Sequence, residues 1–185
     1  MAPKTLPVRT RTATTLGHAV ASLSRRLGRG NGSVIGGRVL LAVDRHALGT
    51  LAEGHRAALV SGTNGKTTTT RLLSAALSSA GPIVTNLRGA NMPAGLAAAL
   101  GEGEPGALAV LEVDEAWLPA VAADVHPEVV LLLNLSRDQL DRNNEVRSLS
   151  SSWRRAVATR ASVRHSTSAA EPGCAAPWYD RCRNG

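Results

Sequence analysis

Thr63-Asn64-Gly65-Lys66-Thr67-Thr68-Thr69-Thr70 follows the apolar run Ala57-Ala58-Leu59-Val60 and the pair Ser61-Gly62, and it opens an amphipathic segment. A small-residue turn between a buried strand and a helix leaves backbone N–H groups at the helix's positive end, where phosphate oxygens are favoured. The stretch is therefore expected to cradle phosphate through Gly62, Thr63, Asn64, Gly65, Lys66, Thr67 and Thr68. Lys66 is the point charge for the terminal phosphates, and the Thr67 hydroxyl is placed on a bridging Mg²⁺. The usual P-loop pattern asks for glycine where this chain has Val60, and carries Gly62 inside the loop instead. Glycine and asparagine are also ordinary turn residues, so the reading rests on the order strand, turn, Gly-Lys-Thr, helix. Lys4 and Lys66 are the two lysines of the chain.

At 185 residues and 43% hydrophobic, the chain has room for one domain with a core, and with no Phe and one Tyr that core is built of Ala, Val and Leu. The net charge of +7 points first to nucleic acid, but residues 1–38 carry seven Lys/Arg and no acid while residues 39–153 carry eight against twelve. The central segment is acidic and no aromatics interleave with the arginines, which argues against a nucleic-acid partner. Cys174 and Cys182 fit neither a metal knuckle nor a disulfide framework, so a reduced, cytoplasmic protein is expected. No stretch approaches the length of a membrane span. Leu16, Val20, Leu23 and Leu27 have helical spacing and are expected to pack a basic N-terminal helix on the domain.

Strand and helix signals then alternate. Strands are expected at Arg56 to Val60, Pro82 to Thr85, Ala107 to Val113 and Glu128 to Leu133. Helices are expected at Thr67 to Ala80, with Leu73, Ala76, Leu77 and Ala80 inward, at Met92 to Leu100, at Ala116 to Asp124, and from Asn143 or Asn144 past Trp153. Continuous apolar strands separated by helices give an α/β fold, a P-loop-type parallel sheet with helices on both faces. Its ligands belong beyond the strands' carboxyl ends. Two further clusters reach that edge: Glu112, Asp114 and Glu115, and Asn134 with Asp138. Glu112 and Asp114 share one side of the strand end, so either could hold Mg²⁺. Helix capping explains Asp114 well and Glu112 less well, since a carboxylate ending so apolar a strand wants a cation or strong donors.

The stretch Val60 to Thr69 resembles the ATP loop of the Mur ligases, which join amino acids or ammonia to carboxylates in bacterial cell-wall synthesis. Gly32 to Arg38, Gly89 to Leu96, Leu111 to Pro119 and Asn134 to Arg142 are similar to the lipid II isoglutaminyl synthase branch of that family. The likeness implies an ATP-dependent ligase with Mg²⁺ that activates the α-carboxyl of D-Glu in lipid II as an acyl phosphate. Ammonia from a GatD-type glutaminase then gives D-isoglutamine, with lipid II presented at the membrane surface. It implies catalytic roles for Lys66 and Glu112, metal contacts from Thr67 and Glu112, and substrate contacts from Asn91, Asn134 and Asp138; a helix cap explains Asn91 equally well. Asp138-Gln139-Leu140-Asp141 carries glutamine where most of the family has a second metal-binding histidine. An inactive ATP-binding fragment or another amino-acid-adding Mur ligase are the alternatives. A small P-loop GTPase or kinase would use the same cradle, but the want of an Asn-Lys pair for a guanine site argues against a GTPase.

The likeness stops near Ala156. The expected organisation is a basic helix and lead-in at 1–38, a partial central ATP-binding domain at 39–156, and a divergent, disordered tail at 157–185. A frame-shift or truncation would explain that tail. It would also explain the want of the family's zinc-binding cysteines and closing domain, without which the chain alone is expected to be inactive.

Overall fold

The computed structural model describes residues 6–27, 32–86, 90–135, 151–153 and 164–167. Five parallel strands form one sheet: β1 (Arg56–Ser61), β2 (Ile83–Val84), β3 (Leu108–Val113), β4 (Val129–Leu132) and β5 (Arg164–Thr167), in the order β2-β3-β1-β4-β5. Helices α1 (Val8–Arg26), α2 (Ser33–Val43) and α3 (Ala47–Ala52) precede β1. Then α4 (Lys66–Leu77), continued by a 3-10 turn over Ser78–Ala80, joins β1 to β2, α5 (Pro93–Glu102) joins β2 to β3, and α6 (Leu118–Val125) joins β3 to β4. The α/β fold with a parallel sheet is thus as the sequence indicates.

The route from β1 to β2 crosses the sheet in the opposite sense to the routes β2 to β3 and β3 to β4. Right-handed crossovers therefore place α4 on one face and α5 with α6 on the other. Leu59, Leu111 and Val113 of the central strands have no exposure and meet Leu96, Leu118 and Val121 in one core. β1 lies between the outbound and returning halves of the chain, so the loop after it opens at the crevice where strand order reverses.

Two expectations about buried faces are corrected, and two elements cross or fall within the expected divisions. The N-terminal helix exists, but its buried face is Thr10, Ala13, Gly17, Ala21 and Ser24, while Leu16, Leu23 and Leu27 are exposed. Small residues let the two helix backbones meet: a Cβ on Gly17 would lie 2.8 Å from the Gly36 carbonyl oxygen in α2, and leucine has no room there. In α4 the fully buried residue is Thr70, with Leu73 and Leu77 half-buried and Ala76 and Ala80 exposed. The division at residue 38 falls inside α2, which packs on both α1 and α5. Finally, Arg164–Thr167 pairs with β4 as an edge strand, since pairing uses the backbone and needs no apolar side chain. Ser151–Trp153 is helical, while the expected start of that helix lies outside the described residues.

Candidate active site

The loop after β1 turns on two glycines with positive φ, Gly62 at 149° and Gly65 at 84°. A Cβ on Gly62 would stand 2.8 Å from the Leu133 Cβ and 3.0 Å from the Asn134 nitrogen, so the loop can lie against the exit of β4 only with glycine there. Val60, where the usual pattern has its first glycine, is a fully buried strand residue. Asn134 clamps the crest of the loop: its Oδ1 accepts from the Asn64 N–H at 3.0 Å and its Nδ2 donates to the Asn64 carbonyl at 3.2 Å. The Thr63 N–H donates to the Asn134 carbonyl at 2.7 Å. Two amides expected to face phosphate are thus already committed. Those at the start of α4, from Gly65, Lys66 and Thr67, are the ones a helix leaves without intrahelical partners.

Lys66 opens α4 and folds back over the loop. Its Nζ donates to the Gly62 carbonyl, to the Thr63 carbonyl at 3.2 Å and to Glu115 Oε2 at 3.2 Å. One residue on, the Thr67 hydroxyl donates to Glu112 Oε2 at 2.8 Å, which joins the helix start to the end of β3. Glu112 is half-buried, in register with Val60 of β1. Asp114 is otherwise engaged: its Oδ1 accepts from the Ala116 N–H at 3.0 Å and its carbonyl from the Trp117 and Leu118 amides, which builds the turn into α6. The sequence reading gave Glu115 no role beyond the helix start. Its place two residues beyond the strand's period gave no sign that it would meet Lys66.

Of the other residues marked from the sequence, Thr68 is exposed on the first turn of α4. Asn91 accepts from the Asp114 N–H through its carbonyl at 2.9 Å, and α5 begins after Met92 with no side-chain cap. Asp138 and Gln139 lie outside the described residues. Asn86 was missed altogether: it is buried, and its side chain binds the Glu112 main chain at both its N–H and its carbonyl. Only the strand register shows it, so no sequence signal could have found it.

The arrangement fits a magnesium nucleotide. Mg²⁺ favours one or two protein oxygens with phosphate and water completing its shell, and a hydroxyl and a carboxylate oxygen meet beside a lysine at a helix start. No cluster of three or more His, Cys, Asp or Glu among the described residues offers an all-protein metal cage, and none of those helices is long and apolar enough to cross a membrane.

Residues 60–150 match the Mur ligase middle domain. The MurT subunit of the glutamine-hydrolyzing lipid II isoglutaminyl synthase from Streptococcus pneumoniae is 39% identical over 126 residues, 65% of this chain and 28% of that protein. The MurT subunit from Staphylococcus aureus strain N315 is 37% identical over 139 residues, 73% of this chain and 32% of its own length. A UDP-N-acetylmuramoylalanine–D-glutamate ligase from Desulfotalea psychrophila is 36% identical over 132 residues, 70% of this chain and 26% of that protein. The solved structure of MurF from Acinetobacter baumannii shares the fold, with a TM-score of 0.52 and 18% identity over 70% of this chain and 34% of the other. The chain spans about a third of the length of the MurT proteins it matches. With the parallel sheet and the Gly-Lys-Thr loop at its switch point, residues 60–150 are a Mur ligase middle domain.

Proposed function

We propose that this chain supplies the ATP-holding core of a cytoplasmic, ATP-dependent amide-forming ligase of peptidoglycan synthesis, in the branch that amidates the α-carboxyl of D-Glu in lipid II. The observation that carries the reading is the meeting of the Lys66 loop with the Thr67 to Glu112 hydrogen bond at the carboxyl edge of the sheet. The likeness to MurT subunits supports the branch. The partner is then a GatD-type glutaminase that delivers ammonia.

The chemistry asks the protein for positioning and charge neutralisation. The amides of Gly65, Lys66 and Thr67 and the Lys66 ammonium would hold the β- and γ-phosphates. Thr67 and Glu112 would hold Mg²⁺, which when bound neutralises charge on the phosphates. Carboxylate oxygen attacks the γ-phosphorus, ADP leaves, and the acyl phosphate formed is attacked by ammonia with loss of phosphate and a proton. Asn91, just before α5, and Asp138 would contact the glutamate, while Asn134 serves the loop. The alternative of an amino-acid-adding ligase is favoured by one observation, the match to the D-glutamate ligase.

The discriminating experiment supplies lipid II, Mg-ATP, glutamine and a GatD-type glutaminase to the protein and follows products by mass spectrometry. ADP, phosphate and isoglutamine-containing lipid support the branch and overturn the expectation that the chain alone is inactive, whereas Mg-ATP binding without product is the outcome expected of the ATP-holding core by itself. AMP with pyrophosphate contradicts the acyl phosphate route, and addition of an amino acid in place of ammonia moves the chain to the other branch.

A further inference from the structure

Beyond Val84, where the ladder between β2 and β3 ends at Ala109, a side chain takes over from the backbone. Asn86 is 7% exposed. Its Oδ1 accepts from the Glu112 N–H at 2.8 Å, and its Nδ2 donates to the Glu112 carbonyl at 2.7 Å and to the Ala90 carbonyl at 2.8 Å. The pattern fixes the amide's orientation, since an N–H must meet the oxygen and two carbonyls must meet the NH₂. Both amide protons are used, and a buried amide so satisfied is rigid. One residue past Ala90, the Asn91 carbonyl accepts from the Asp114 N–H at 2.9 Å. Asn86 and Asn91 are thereby both bound to the end of β3, at Glu112 and at Asp114.

We infer that Asn86 is a positioning residue that sets the Glu112 carboxylate against Thr67. The inference rests on the nucleotide reading above for what Glu112 does, and on geometry alone for how Glu112 is held. A Glu112 side chain that meets Thr67 at 2.8 Å is aimed by its own backbone, and Asn86 holds that backbone at both polar groups. Alanine at 86 leaves a buried N–H and two carbonyls without partners, so the strand end and the carboxylate on it lose their fixed place.

The test is calorimetric titration of residues 1–185 with ATP, with Mg²⁺ and with EDTA, for the parent, Asn86→Ala, Glu112→Gln and the double variant. Asn86→Ala is expected to weaken binding about tenfold with Mg²⁺, as loss of an outer-shell partner does, and less than about twofold in EDTA. In the Glu112→Gln background it is expected to add nothing, because both changes remove the same contact. Equal losses with and without Mg²⁺, full additivity with Glu112→Gln, or no loss at all would each overturn the inference. Should the parent fail to bind Mg-ATP, the nucleotide reading falls, and amide hydrogen exchange then judges the strut alone. Exchange at Glu112 is expected to quicken at least about tenfold in Asn86→Ala relative to Leu59, and unchanged exchange overturns it.

Discussion

Lys66 Nζ lies 3.2 Å from Glu115 Oε2, with 12% and 13% of the two side chains exposed. An ammonium so placed is satisfied by the protein's own groups, the Gly62 and Thr63 carbonyls included. Phosphate must therefore compete with Glu115 for Lys66. Glu115→Gln is expected to raise Mg-ATP affinity by about two- to tenfold, since the attraction to be broken in the empty loop loses its charge. It is also expected to lower the melting temperature of the free chain. Isothermal titration and a thermal melt read both, and a drop in affinity would instead make Glu115 a ligand of the magnesium nucleotide.

Glu112 and Asp114 differ in what already binds them. Asp114 spends Oδ1 on the Ala116 N–H in its own turn, whereas Glu112 Oε2 receives the Thr67 hydroxyl at the start of α4. Glu112→Gln should cut Mg²⁺-dependent ATP binding by about tenfold or more. Asp114→Asn should leave it within about twofold while loosening the turn into α6. The opposite ranking would move the metal contact two residues along.

Asp44 ties α1 to the end of α2. It is buried, and Thr10 Oγ1 donates to its Oδ2 at 2.7 Å. That hydrogen bond, partly opposed by burial and helped by the His46 N–H and the Arg9 and His46 charges, holds the Asp44 carboxyl below its ordinary value. A carboxyl with a depressed folded pKa stabilises the fold above the ordinary aspartate value and loses that contribution as pH falls through the depressed one. Thr10→Val should therefore cost about 1.5–3 kcal/mol at pH 7. The deficit should shrink below about pH 4, near the unperturbed aspartate pKa. Denaturant titrations at pH 7 and pH 3 measure it, and an equal deficit at both would remove Asp44 as the cause.

The sheet and its loop were legible because unbroken apolar runs such as Val129-Val130-Leu131-Leu132 leave little choice but buried parallel strands, and because Gly65-Lys66-Thr67 must follow one of them. Packing that relies on small residues was not. Gly17 and Ala21 look like weak helix positions beside Leu16 and Leu23, yet close backbone approach, not side-chain size, decides which face is buried. The roles of Asn86, Asn134 and Glu115 depend on which strand end lies beside which loop, and that register is set by pairing between distant segments. β5 was invisible for a related reason: Arg164-His165-Ser166-Thr167 has no apolar period, and its place comes from backbone bonds to β4.

The central claim is that Lys66 and its loop hold the phosphates of Mg-ATP. Calorimetric titration of Mg-ATP into the parent and Lys66→Ala tests it most directly. Loss of one charge-assisted contact is worth about 1.5–3 kcal/mol, so the variant is expected to bind roughly 10- to 100-fold more weakly than a parent that binds measurably. Equal affinity in the two proteins, or no binding by a folded parent, would contradict the assignment of this loop to ATP.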